Sequence, residues 1–145
     1  METTDSIPEL ISALEKQIAD DPDNVQLNLT LGNLYVVQLG KFDAALDIYQ
    51  RILPKARDKA SDVACSMGFV YFKKGDMKMA EQLFTESIAG NNVSPNTYLM
   101  RAGVWMELKE PQKAVADYEK YLELEPNSQV RADVEEAIAS IRADL

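Results

Sequence analysis

Few side chains in this chain could do covalent or metal chemistry. There is no histidine, which removes the commonest general base and the commonest metal ligand. The single cysteine, Cys65, falls on a predicted helix with no imidazole to activate it, so a small packing or groove residue is expected rather than a nucleophile. Adjacent acids occur at Asp20-Asp21 and Glu135-Glu136. Neighbours on a helix point different ways, so such pairs make poor metal sites and read as solvated surface. Gly32, Gly68 and Gly103 belong to no phosphate-binding loop. Lys73, Lys74 and Lys78 cluster around Gly75 and read as a solvated turn, with docking of an acidic partner as the minority alternative. No catalytic residue, metal site or cofactor is expected, and the chain is not expected to be an enzyme.

Composition bounds the remainder. The 145 residues carry a formal charge of −9, with 46% apolar and 27% charged residues. Length and composition are those of one soluble domain. Residues 1–47 hold nine acids and two bases, 48–90 five acids and seven bases, and 91–145 ten acids and six bases. A chain this acidic, without a large basic face, is a poor nucleic-acid ligand. No apolar run reaches the roughly 20 residues that span a bilayer, so no membrane partner is expected. The start, METTDSIPEL, has neither the basic opening nor the apolar core of a secretory signal. A cytoplasmic location is expected, and one unpaired cysteine agrees weakly with a reducing compartment.

The organisation lies in spacing. Ala64, Met67, Gly68 and Tyr71 fall at helical intervals, Gly75 breaks the helix, and Asp76 offers a cap for a second helix carrying Ala80 and Phe84. Small residues at Gly68 and Ala80 let two helices approach, and Tyr71 and Phe84 fill the space around that contact. The set recurs upstream as Asn28, Leu31, Gly32, Tyr35, Gly40, Ala45 and Tyr49. It recurs downstream as Tyr98, Arg101, Ala102, Trp105, Ala114, Tyr118 and Pro126. Gly68 to Ala102, Ala80 to Ala114 and Phe84 to Tyr118 are each 34 residues; Gly32 to Gly68 is 36. One extra residue lies between Tyr35 and Gly40, and the other between Tyr49 and Ser61, where Pro54 interrupts the helix.

This order of residues resembles the tetratricopeptide repeat, W-x2-L-G-x2-Y…A-x3-F…P. Met67-Gly68 stands for the Leu-Gly pair, Tyr71 for the Tyr, Ala80 for the small residue and Phe84 for the aromatic. The resemblance covers nearly the whole chain and implies an all-α, right-handed superhelix of tandem helix-turn-helix repeats. The boundaries expected are a capping helix or half repeat over 6–21, repeats over 25–59, 61–94 and 95–128, and a capping helix over 129–145. Ser6-x-x-Glu9 is a capping box for the first helix. In the last, Val130, Val134, Ile138 and Ile141 share one face, opposite Arg131, Asp133, Glu135, Glu136 and Arg142. A solenoid's end needs such a polar outer face. Trp105 takes the place of Tyr35 and Tyr71 and is expected in the core. Arg101 departs from the apolar residue usual there, and its stem is expected to pack while its head reaches solvent.

In tetratricopeptide stacks the first helix of each repeat lines a concave groove. By helical phase that face carries Gln26, Leu29, Asn33, Val36 and Val37 in the first repeat. It carries Asp62, Cys65, Phe69, Phe72 and Lys73 in the second, and Asn96, Leu99, Gly103, Met106 and Glu107 in the third. Phe69 and Phe72 stand at its centre as an anchor cluster. Intramolecular cover by a terminal helix is the competing reading, and the insertion after Tyr35 is a reason for Val36 and Val37 to turn away. The family also has a version that clamps the C-terminal carboxylate of heat-shock chaperones. Only Asn33 matches it here, because Leu29, Ser66, Asn96 and Met100 stand where the clamp needs Lys, Asn, Lys and Arg.

The expected function is therefore that of a protein-interaction adaptor or scaffold, holding a peptide or an amphipathic helix of a partner in an apolar groove. The alternative is a small acidic chaperone that holds an apolar segment of a secreted client. A second copy of the chain is a further candidate partner, since one subunit's terminal helix could fill another's groove.

Overall fold

A computed structural model of the chain describes residues 6–145, which form eight α-helices and no strand. They are α1 (Ile7–Asp20), α2 (Val25–Leu39), α3 (Phe42–Ile52), α4 (Ala60–Lys74), α5 (Met77–Ala89), α6 (Pro95–Glu107), α7 (Pro111–Leu124) and α8 (Arg131–Ala143). Each helix packs on the next in sequence, and α2, α4 and α6 also touch side by side. Three hairpins, α2–α3, α4–α5 and α6–α7, thus stack into a superhelix. No hairpin can bury its own apolar face alone, so each closes its neighbour's.

The residues at repeat spacing explain the close contacts. A Cβ built on Gly68 would stand 2.8 Å from the Phe84 ring, and one on Gly32 would stand 2.5 Å from the Tyr49 ring. Ala45, Ala80 and Ala114 on the facing helices are fully buried, as are Tyr49 and Phe84. Sequence-encoded caps set the helix starts. Ser6 and Glu9 form the reciprocal capping box of α1, and Asp76 accepts from the Met79 N–H at 3.1 Å to start α5. Ser94 precedes Pro95 at the start of α6 but makes no side-chain cap bond. Buried Asn28 donates to the carbonyls of Pro22 (3.0 Å) and Asn24 (2.8 Å), which ties down the turn that enters α2.

Both extra residues are absorbed in turns. At the end of α4 the Asp76 N–H reaches five residues back to the Tyr71 carbonyl, and Glu110 does the same to Trp105 after α6. After α2 the Lys41 N–H reaches six residues back, to Tyr35. The insertion therefore widens the last turn and leaves the preceding phase intact, so Val36 and Val37 do not rotate away. The second extra residue lies between α3 and α4, in two short 3-10 turns, Leu53–Lys55 and Arg57–Lys59. At the far end α8 begins at Arg131, after Ser128 Oγ has accepted from the Val130 N–H at 3.2 Å. Val134, Ile138 and Ile141 are buried as the pattern requires, while Val130 lies outside the helix and exposed.

One turn departs from its sequence signature. Gly40 and Gly75 close the first two hairpins in the left-handed region, at φ 63° and 84°. In the third, Lys109 takes that place at φ 60°, where a side chain's Cβ is crowded by backbone. Lys109→Gly is expected to raise stability by about 0.5–1 kcal/mol, since the relieved strain outweighs the freedom that glycine adds to the unfolded chain. A lowered thermal midpoint by circular dichroism would count against this account of the turn.

Candidate partner-binding groove

Because α2, α4 and α6 lie side by side, their outward stripes share one face. That face holds two adjoining hollows. The first, of about 250 Å³, is bounded by Asn33, Val36 and Val37 of α2, Cys65, Ser66 and Phe69 of α4, and Met100 of α6, with Tyr49 of α3 behind. The second, of about 200 Å³, lies between α4 and α6. Its walls are Phe69, Phe72, Leu99, Met100 and Gly103, with Phe84 of α5 as its floor. Phe69 and Met100 border both and form the partition between them.

The two hollows differ in chemistry. The second is lined by aromatic, leucine and methionine side chains with Gly103, and by no polar side chain. The first adds polar atoms: Asn33 Oδ1 accepts from the Tyr49 hydroxyl and Cys65 Sγ accepts from Thr97 Oγ1 at 3.4 Å, while Asn33 Nδ2 and Ser66 Oγ make no hydrogen bond among the described residues. Burial pushes the Cys65 thiol pKa up, with nearby Asp62 adding to the effect and the Thr97 hydrogen bond opposing it. That is the reverse of what activates a cysteine. Burial likewise raises the pKa of the Tyr49 phenol. Among the described residues no cluster of histidine, cysteine and acidic side chains could hold a metal ion.

Of the fifteen residues assigned to this face by phase, Asn33, Val36, Val37, Cys65, Phe69, Phe72, Leu99 and Gly103 line the hollows. Val37 is 70% exposed, the most open large apolar side chain of the described residues. Lys73 stands over the Phe69 ring, 5.5 Å from its centre. Gln26 is bound by Lys59 Nζ at 3.1 Å, and Asp62, Asn96 and Glu107 lie on α4 and α6 without lining either hollow. Two residues are corrected. Leu29 is only 7% exposed and belongs to a buried cluster with Val63 and Met67, because α4 closes over that part of α2. Met106 lines a separate hollow with Pro111 and with Ser140 and Ile141 of α8, so the terminal helix draws it out of the shared face.

Ser66 and Met100, named above only as positions of the carboxylate clamp, also line the hollows, as their phase announces. Ser66 is four residues after Asp62 and three before Phe69, and Met100 is placed identically between Asn96 and Gly103. Arg101 also differs from expectation. Its head is held by Asp117 through Nε–Oδ2 (2.7 Å) and Nη2–Oδ1 (2.8 Å), and Asp117 accepts in addition from Trp105 Nε1 at 3.0 Å. The Asp117 side chain is 6% exposed and that of Arg101 17%. A buried carboxylate holds the guanidinium out of water, and its hydrogen bond pushes the Arg101 pKa further up.

Two profiles described as tetratricopeptide repeat match the chain, one over residues 11–64 and one over 95–128. The chain belongs to the tetratricopeptide repeat family. Human RNA polymerase II-associated protein 3 is 31% identical over 106 residues, a stretch that covers 67% of this chain and 14% of that protein. The chain spans less than a third of the length of the curated relatives it matches. Among solved structures, the first tetratricopeptide domain of Spaghetti (RPAP3), bound to the HSP90 peptide SRMEEVD, superposes with a TM-score of 0.72 at 25% identity. That match covers 82% of this chain and 93% of the other. YrrB, described as having an unusual peptide-binding site, superposes with a TM-score of 0.79 at 19% identity, over 92% of this chain and 66% of its own. At that identity the match bears on the fold alone. Tetratricopeptide repeats are non-enzymatic protein-interaction modules, and this chain is one of them.

Proposed function

We propose that the chain is an adaptor that holds a segment of a partner protein across α2, α4 and α6, with apolar side chains of the partner seated on either side of the Phe69–Met100 partition. The observation that carries the reading is the pair of adjoining hollows, open on the one face where three first helices meet. Exposed aromatic and aliphatic walls lose water-contacting area when filled, and such anchors dominate interface energies. The RPAP3 domain, which is 25% identical, is solved with a peptide bound, and this supports a peptide-like ligand here.

Gly103 supplies a test that spares the fold. A Cβ added there meets nothing within 4 Å, and replacing a mid-helix glycine favours the helix by up to about 1 kcal/mol. Gly103→Leu is therefore expected to fold at least as stably as wild type while filling the second hollow. Peptides selected by display against the wild-type protein should lose about tenfold or more in affinity for Gly103→Leu and for Phe69→Ala, equivalent to about 1.4 kcal/mol. Unchanged affinity in both variants, each shown folded by circular dichroism, would place binding elsewhere.

A further inference from the structure

Away from the groove, the three hairpin turns line up along one edge of the stack, and that edge has a charge of its own. We propose that it is a second docking site, which takes an extended acidic segment of a partner protein. The site is separate from the groove and stands or falls without it.

The turns adjoin because α2, α4 and α6 run side by side in one direction. Lys74, at the end of α4, bridges to Asp43 at the start of α3 at 2.6 Å and so joins the second turn to the first. Met77 and Leu108 pack on the same apolar cluster of Ala80, Phe84 and Val104, which joins the second turn to the third. Residues 38–44, 73–79 and 107–113 therefore form one continuous edge. They hold six of the fifteen bases and four of the twenty-four acids, whereas the rest of the chain holds nine bases and twenty acids.

That excess of positive charge is open to a ligand. All six bases, Lys41, Lys73, Lys74, Lys78, Lys109 and Lys113, are exposed. Lys74 and Lys113 have carboxylate partners in Asp43 and Glu110. The other four form no ion pair among the described residues. Of the four acids, Asp43 and Glu110 are engaged by those lysines, and Asp76 accepts from the Met79 N–H as a helix cap. The opposite edge of the stack differs. Where α3 runs into α4, Lys55 is held by Asp23 at 2.6 Å and Lys59 by Gln26 at 3.1 Å, so two of the three cations there are turned back onto the fold.

Lys109 is an independent sign. At φ 60° it occupies the place that glycine takes in the first two turns. No ion pair among the described residues accounts for a long side chain there. Side chains held in a disfavoured backbone conformation collect at ligand sites, where the side chain has a use that glycine cannot supply. Without Lys109 the third turn would set Glu107 and Glu110 against Lys113 alone, and the row of cations would stop at the second turn.

The spacing and the residue type describe the ligand. Packed helices lie about 8–10 Å apart, a distance that an extended chain covers in about three residues. A carboxylate at every third residue of such a segment meets one turn after another. All six cations are lysines, which are compact point charges; none is an arginine, whose fork matches a phosphate. The twenty acids elsewhere on the chain also oppose a nucleic acid, whose backbone is far more densely charged.

The test titrates nitrogen-15-labelled protein, followed by amide chemical shifts, with a Glu-Ser-Gly repeat peptide of about twelve residues, long enough to cross all three turns. The same repeat with lysine for glutamate and an oligothymidylate of similar length serve as comparisons. Salt is held at about 0.15 M, where the field of distant acids is cut off within about 8 Å. The glutamate peptide is expected to shift the amides of the three turns and to leave Asn33 and Met100 of the groove unmoved. Lys78→Gln/Lys109→Gly should weaken it about tenfold or more, with a thermal midpoint no lower than wild type. Lys16→Gln/Lys120→Gln makes the same change in net charge away from the edge and should weaken it by less than about threefold. Gly103→Leu, which fills the groove, should bind it as wild type does. Absence of shifts, shifts centred on the groove, or equal losses in the two lysine pairs would overturn the proposal. An oligothymidylate that binds the same turns as tightly would overturn the assignment of the edge to a protein segment.

Discussion

Asp117→Leu alone is expected to lower stability by about 3–5 kcal/mol, and Arg101→Met/Asp117→Leu together to return it to within about 1 kcal/mol of wild type or above it. The single change leaves a guanidinium, with 17% of its side-chain area exposed, without its carboxylate. Of its remaining polar contacts, only Thr85 Oγ1, at 3.2 Å, stays as an acceptor. Removing one partner of a buried pair is costly because the other charge stays out of water; removing both takes away that penalty along with the attraction. The repeat supplies the replacement. Counting back 34 residues, Arg101 and Asp117 stand in register with Met67 and Leu83, which are both 6% exposed and share one buried cluster. The third repeat thus holds by charge a position that the second holds by hydrocarbon. The double variant transplants the second repeat's solution into a backbone of the same form. Trp105 Nε1 loses its acceptor in the exchange, but its ring is only half-buried, so water can replace the carboxylate at a cost of about 1 kcal/mol. Urea unfolding followed by circular dichroism gives the three stabilities. A double variant as weak as Asp117→Leu would mean that the ion pair specifies the geometry of the third repeat beyond filling its space.

The same pair shows where sequence reading ran out. Small residues at Gly32, Gly68 and Ala102, 36 and 34 residues apart, were legible because close helix approach leaves little room, and Gly32 and Gly68 each stand opposite a large ring. The turns at Gly40 and Gly75 were legible because a left-handed residue is usually glycine. Lys109 adopts the same conformation with no such sign, since backbone bonds from Glu110 to Trp105 and from Lys109 to Met106 impose it. Arg101 read as an oddity because phase treats one helix at a time, and its partner is sixteen residues away on another. Aligning Asp117 with Leu83 would have shown both replacements together. The groove was half legible for a related reason. Helical phase tells which way Leu29 or Met106 leaves its own helix. It does not tell that α4 closes over the first or that α8 reaches the second.

Phe84→Ala is expected to cost about 3–5 kcal/mol, the range for emptying a fully enclosed aromatic site. Its ring is completely buried and sits against Gly68, where a built Cβ would stand 2.8 Å from both Cδ1 and Cε1. Contact that tight on a packed ring cannot relax cheaply, so Gly68→Ala is expected to cost about 1–3 kcal/mol, even though alanine favours a helix over glycine by about 1 kcal/mol. The third repeat shows that the register itself accepts alanine. Ala102 is buried there, and its ring partner, Tyr118, is only half-buried and so less confined than Phe84. The test is a cycle of Gly68→Ala, Phe84→Leu and the double variant, measured by urea unfolding. Leucine in place of the ring frees space beside the new methyl, so the double should be more stable than the sum of the singles predicts by about 0.5 kcal/mol or more. Strict additivity would mean that the helices, and not the ring, absorb the methyl group. Phe84 also floors the second hollow, which separates it from Gly103 in kind. Phe84→Ala should weaken the fold and the hollow together, whereas Gly103→Leu, built into open space, should close the hollow with the fold intact. A thermal midpoint for Gly103→Leu well below wild type would break that separation and show that the open face is also part of what holds the repeats together.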